Sequence, residues 1–302
     1  MIDAAGRIVA SEVEDTRAGQ PLRALERQLD ALVARLQRHV SDRLAGIGAA
    51  ITGPVDPEMG CVYLPGKIRG LDRHRTVPYL RRRWQVPVLA DNDGRLACFA
   101  EWQSGAGKGV DNLLVVTLGT GIGSGVVLDG RLLTDRHFQR GTQCGHMIID
   151  LNGPRCLTGA AGTGESVASV TALVQAARDH VARGLDTVLA GFAPAEITFP
   201  AVVAAVRQKD RVAAELFTRW LDRFAAVLLN AYYAYAPDLI LLAGGPVQAA
   251  PLFLRPLEKR INVAAFVVPV GRRIRLRAAA LGSDAGWVGG ALLAREKFGG
   301  AA

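Results

Sequence analysis

The strongest limit on the fold is a pair of apolar runs, 112–118 and 126–128, joined by Gly119-Thr120-Gly121-Ile122-Gly123-Ser124-Gly125. Apolar runs this short, bounded by glycine, read as buried strands and not as helices. Glycine at every second position lets the backbone turn tightly and lie close to whatever the turn faces. Backbone N–H groups in such a turn can approach a phosphate, and Thr120 adds a hydroxyl. The same segment also reads as a plain hairpin, with a further turn at Asp129-Gly130. Taken singly, it leaves both readings open.

Strand and helix patterns alternate around this hairpin. Residues 45–51 form an apolar run closed by Gly53-Pro54, 86–90 a short buried strand, and 237–243 a strand ending in Gly244-Gly245. Residues 7–14 alternate weakly and read as a strand after a turn at Ala5-Gly6. Helical periodicity covers 21–44, 76–84, 95–103, 165–183, 199–208, 211–236 and 284–298. Residues 136–164 read as a polar, glycine-rich loop region. This alternation predicts an α/β fold with mixed β-sheets flanked by helices. A chain of 302 residues predicts two domains. The small residues of 105–109 place the boundary near 110. The expected domains are 1–110 and 111–283, with helix 284–298 packing back on the first.

Bulk properties exclude several classes. Apolar residues make up 50% of the chain and charged residues 21%, an ordinary globular balance. A net charge of +8 is compatible with a polyanionic ligand and decides little. Cys61, Cys98, Cys144 and Cys156 form no CxxC pair, so the expectation is a reduced, cytoplasmic protein without a disulfide framework. No apolar run is long enough to span a membrane, and MIDAAGRIVA lacks the pattern of a signal peptide.

Three further segments carry candidate chemistry. Asp91-Asn92-Asp93 follows the 86–90 strand, where open α/β sheets bind ligands. A carboxylate there can accept a hydroxyl proton while that hydroxyl attacks a phosphoryl group. The alternative is a turn held by Asx hydrogen bonds. Gly244-Gly245 lets a flat ring or ribose approach the backbone, or makes an ordinary turn. Gly145-His146, with Cys156 and Glu165 downstream, offers too few ligands for a structural zinc site.

In this order, the segments resemble the ROK family of repressors and sugar kinases, glucokinases among them, within the actin/hexokinase-like ATPase superfamily. Residues 51–56 (ITGPVD) look like its Gly-Pro-Val-Asp turn, and 88–93 (VLADND) followed by Glu101 like its Asn-Asp catalytic segment. Residues 116–125 (VTLGTGIGSG) match its second phosphate motif, 145–147 its Gly-His core, and 281–289 (LGSDAGWVG) its C-terminal signature. The resemblance implies a two-domain ribonuclease H-like fold and an ATP-dependent sugar kinase acting on a hexose or amino sugar. It implies Asp93 as general base, and Asn92, Asp93, Gln143, His146 and Glu165 as sugar-binding residues. Gly119, Thr120 and Gly121 would hold ATP phosphates, Mg²⁺ would arrive on the nucleotide, and Gly244 and Gly245 would flank the adenosine. It also implies a homodimer.

The chain departs from the family in four places. Nothing matches the family's opening Asp-x-Gly-Gly-Thr phosphate hairpin; MIDAAGRIVA resembles the strand that follows it. The expectation is a first strand that lies upstream or was lost. The zinc pattern after His146 keeps Cys156 but has Thr158 and Thr163 for the other two cysteines. Neutral hydroxyls are poor zinc ligands, so structural zinc is expected to be absent. Gln143 stands for the glutamate before Gly-His, and Gly66 for an asparagine. Two other readings stand beside the kinase: a sugar-sensing regulator that does not turn over, and a degenerate homologue. Nucleic-acid binding is not expected here, because Arg81-Arg82-Arg83 reads as a solvated helix face.

Overall fold

A computed structural model describes residues 1–16, 19–41, 43–62, 71–72, 74–134, 142–265 and 273–299. Gly66 lies outside the described residues.

The described residues build two sheets. Strand β1 (Ile47–Ile51) pairs in parallel with β2 (Val88–Asn92), with Ile47 opposite Val88 and Ile51 opposite Asn92. Five strands form the larger sheet: β3 (Leu113–Leu118), β4 (Ile122–Leu128), β5 (Arg131–Leu132), β6 (Leu239–Ala243) and β7 (Leu276–Ala278). Its order is β5-β4-β3-β6-β7. The hairpin strands β3, β4 and β5 are antiparallel, while β3, β6 and β7 run parallel. The sheet is mixed, as the sequence pattern predicts. Strands β3 and β6 are buried on both faces, which explains why they read as unbroken apolar runs. Leu114, Val116 and Leu118 face the main core, and Leu113 and Val115 the opposite layer.

Helices cover both sheets. They are α1 (Leu22–Gln37), α2 (Thr76–Trp84), α3 (Asp93–Ser104), α4 (Gly164–Ala168), α5 (Val170–Ala182), α6 (Phe199–Arg207), α7 (Arg211–Tyr235), α8 (Ala250–Ala264) and α9 (Ala285–Phe298). The longest, α7, buries Val212, Leu216, Trp220, Phe224, Val227, Leu228 and Ala231, a stripe of helical period. Asp210 caps it by accepting the Ala213 N–H at 2.7 Å.

Helix α3 is the element shared by both halves. One face packs Leu96, Phe99 and Ala100 against Val288, Leu292 and Leu293 of α9. The other sets Cys98 against Leu113, Val115 and Val127 of the large sheet. Helix α9 therefore returns to the first half of the chain. It can do so because Gly289 lies against the Leu96 carbonyl and Gly290 against Gly48; a side chain at Gly289 would collide with backbone.

Several expectations change. Residues 7–14 make no ladder; Ile2 and Ile8 share a single antiparallel bridge. Helix α1 stops at Gln37, seven residues short of the predicted end, where His39-Val40-Ser41 supplies three weak helix formers. The predicted helix 165–183 breaks at Ser169. There Trp220 Nε1 donates to the carbonyls of Ala168 (2.8 Å) and Ser169 (3.1 Å), and the Ser169 hydroxyl caps α5 by accepting the Ala172 N–H. Strand β2 runs two residues further than its apolar run, so Asp91 and Asn92 are part of it.

Candidate functional site

The site gathers around the first residues of β4. From one side comes the junction of β2 and α3. Asn92 is the N-cap of α3, its Oδ1 accepting the Arg95 N–H at 3.2 Å. Its Nδ2 donates to the Gly53 carbonyl at 3.0 Å and to Asp93 Oδ1 at 3.1 Å. The same Asp93 oxygen accepts the Gly94 N–H at 2.9 Å. Asp93 is thereby oriented by its own helix start, and Asn92 also anchors the Gly53-Pro54 turn. Beneath them, buried Asp91 pairs with buried Arg95, Nε to Oδ1 3.1 Å. Arg95 Nη1 also donates to the Leu133 carbonyl at 2.8 Å. A buried ion pair of this kind fixes position.

The start of α3 touches β4 directly. A side chain on Gly94 would come within 2.8 Å of the Ser124 nitrogen, and one on Gly125 within 2.9 Å of Arg95 Cα. The start of α3, which carries Asp93, therefore sits beside residues 123–124 of the strand that follows the turn 119–121.

That turn is held by its carbonyls. Gly119 O accepts the Val170 N–H at 3.1 Å, and Thr120 O accepts the Thr171 hydroxyl at 2.8 Å. The Gly119 N–H donates to Gly121 O at 3.0 Å. The N–H groups of Thr120 and Gly121 have no partner among the described residues. Thr120 is exposed, and no atom crowds the open side of Gly119. Unpaired amides in a glycine turn suit phosphate oxygens. Gly244 lies against the Leu118 carbonyl with φ +100°, a conformation that favours glycine, while Gly245 faces open space. The carboxyl ends of parallel β3 and β6 thus present the two glycine turns side by side, where open α/β sheets bind ligands.

From the other side come Glu165 and His146. Glu165 Oε2 accepts the Ile122 N–H at 3.1 Å and lies over Gly121. Its Oε1 has no partner among the described residues. Gly145 packs on the Ile122 carbonyl, which brings the short 3-10 turn Cys144–His146 onto the same strand. Gln143 accepts the His146 N–H at 3.0 Å through its backbone carbonyl. Ser124 ties this segment down by accepting the Cys144 N–H at 2.9 Å and donating to the Thr142 carbonyl.

A zinc ion does not fit the corner formed by His146, Cys156, Thr158 and Thr163. Cys156 Sγ and Thr158 Oγ1 are 2.9 Å apart, and Thr163 is fully buried as the N-cap of α4. Burial opposes ionisation of Cys156, but hydrogen bonds with Thr158, Thr163 and the backbone outweigh it and hold the thiol below its usual range. His146 Nδ1 is buried without a partner among the described residues. Among the described residues no three His, Cys, Asp or Glu side chains gather around one point. The corner is instead closed by backbone pairs, Cys156 N–H to Ala160 O and Ile149 N–H to Gly162 O, both 2.9 Å.

The model of the ROK family matches residues 1–297. The chain belongs to the ROK family. A glucokinase of Thermotoga maritima is 30% identical over 98% of this chain and 92% of its own. The crystal structure of a ROK family glucokinase from Streptomyces griseus, in complex with glucose and AMPPNP, superposes with a TM-score of 0.84 at 26% identity, covering 98% of this chain and 94% of that one. A ROK family transcriptional regulator, a homologue of the E. coli MLC protein, superposes at 0.82 with 26% identity, over 97% of this chain and 73% of its own. The fold is therefore the actin/hexokinase-like one that the motifs imply. No helix among the described residues is long and apolar enough to cross a membrane.

Sequence reasoning assigned each of these residues a ligand; it missed their partners within the protein. Glu165 doubles as a brace for the phosphate turn, and Asn92 as a helix cap. Nothing in the spacing shows the buried Asp91–Arg95 pair, which joins the end of β2 to the first turn of α3.

Proposed function

We propose that this ROK protein is an ATP-dependent sugar kinase that transfers the γ-phosphoryl group of ATP to a hydroxyl of a hexose or amino sugar. The observation that carries the reading is the convergence on residues 119–124 of an oriented carboxylate, Asp93, and a turn with unpaired amides, Thr120 and Gly121. A carboxylate beside a phosphate cradle is what phosphoryl transfer to an alcohol asks for, since positioning and charge neutralisation supply most of the catalysis.

In this reading the sugar lies between Asp93 and the Gly145-His146 turn. Asp93 accepts the proton of the attacking hydroxyl as its oxygen bonds to the γ-phosphorus. The bond to the bridging oxygen breaks and ADP leaves. Asn92 Nδ2 holds Asp93 in register, while the Asn92, Gln143, His146 and Glu165 side chains contact sugar hydroxyls. Residues 119–121 bind the phosphates, and Gly244 and Gly245 leave room for the adenosine. Mg²⁺ brought by the nucleotide would supply neutralisation of phosphate charge beside residues 119–121. Gln143 is neutral where the family has a carboxylate, which favours a sugar other than glucose. The reading places the enzyme in the cytoplasm, in keeping with Cys61, Cys98, Cys144 and Cys156 forming no disulfide among the described residues, and as a homodimer.

The likeness to the transcriptional regulator supports a second reading, a sensor that binds sugar without turnover. Coupled measurement of ADP release across hexoses and N-acetylhexosamines separates the two. A kinase turns over at least one sugar, whereas a sensor binds one by calorimetry and releases no ADP.

A further inference from the structure

The kinase reading assigns no role to Glu101, yet this buried carboxylate accepts three backbone hydrogen bonds. Its side chain is 0% exposed. One carboxylate oxygen accepts the Leu281 N–H at 2.7 Å; the other accepts the N–H groups of Ala106 at 2.8 Å and Ala280 at 3.1 Å. Its backbone carbonyl accepts the N–H groups of Gly105 and Gly107, both at 3.0 Å. Gly105 is glycine because any side chain there would collide with the Glu101 carboxylate.

Those amides belong to two particular stretches. Residues 105–112 lead from α3 into β3, and residues 279–284 lead from β7 back to α9. Among the described residues, they are the two places where the chain passes between the half built on β1 and β2 and the half built on the five-stranded sheet. Helix α3 lies between the halves, with α9 on one face and β3 and β4 on the other. Segments where a chain crosses twice between two packed bodies are where hinge motion concentrates.

We propose that Glu101 is the hinge pin of this enzyme: a positioning residue that ties both crossings to α3 and fixes the axis about which the halves close on the sugar. A buried carboxylate is acceptor-only, and here it matches three amide donors. The proposal rests on the kinase reading only for the identity of the ligand that drives closure. A residue that merely stabilised α3 would have no reason to contact both crossings.

The test is Glu101→Gln, which keeps the shape and replaces one acceptor with an NH₂ donor facing an amide. Hydrogen exchange read by mass spectrometry requires no ligand. At both 105–107 and 280–281 we expect exchange to rise together by about tenfold or more, with α7 unchanged, because one lost acceptor loosens both. Small-angle scattering should show the compaction caused by a bound hexose diminished, and the sugar KM should rise more than the ATP KM. Gly105→Ala, which displaces the carboxylate without removing it, should reproduce the pattern and serves if Glu101→Gln fails to fold. Faster exchange at one crossing alone, or undiminished compaction with an unchanged sugar KM, would overturn the proposal. Absent turnover in the wild type alongside normal compaction would instead remove the kinase reading and leave the hinge standing.

Discussion

The two walls of the cleft are built by different means. On the phosphate side, backbone touches backbone: Gly94 lies on Ser124, Gly125 on Arg95 and Gly244 on the Leu118 carbonyl. On the far side, Gly162 also lies on the Asp150 carbonyl, but the corner of Cys156, Thr158 and Thr163 is held by side-chain hydroxyls, a thiol and short backbone pairs. A contact between two main chains has no tolerance for an added carbon. A hydrogen-bonded corner accepts one polar group for another. The departures from the family pattern at Thr158 and Thr163 fall on the tolerant wall, while the glycines of the tight wall are all present.

Substitutions sharpen that contrast. Gly244→Ala should be the most damaging, since it combines φ +100° with collision against the Leu118 carbonyl. About 3 kcal/mol of stability should be lost, read by denaturant unfolding. Thr163→Ala removes the N-cap of α4 and the support of Glu165. It should cost about 1–2 kcal/mol and raise the sugar KM, read by thermal unfolding and steady-state kinetics. Cys156→Ser should cost less than about 1 kcal/mol, because a hydroxyl can replace the thiol beside Thr158. Chelator treatment should leave the unfolding temperature unchanged. A stoichiometric zinc in metal analysis would break the comparison, making the corner a metal site after all.

Much of the site was legible because its chemistry is written in short segments. The strand, glycine turn and strand of 112–128 reads from apolar run length and punctuation alone. Asp93 reads from its place after a buried strand. Other features depend on partners distant in sequence. The break at Ser169 is set by Trp220, 51 residues away. The role of Gly123 and Gly125 is packing: Gly125 admits α3, and a side chain at Gly123 would come within 2.5 Å of the Thr117 hydroxyl. Helix α8 escaped notice because Pro251 and Pro256 break its pattern, although a proline near the first turn is tolerated. The grip of Glu101 on residues 280–281 spans 180 positions, beyond any local periodicity.

The central claim is that Asp93 takes a proton from a sugar held beside the 119–121 turn. Asp93→Asn tests it most directly, with sugar affinity by calorimetry and ADP release measured on the same preparation. The account predicts sugar binding within a few-fold of wild type and turnover reduced by about 10²–10⁴. Unchanged turnover in Asp93→Asn would contradict it and remove Asp93 from the chemistry.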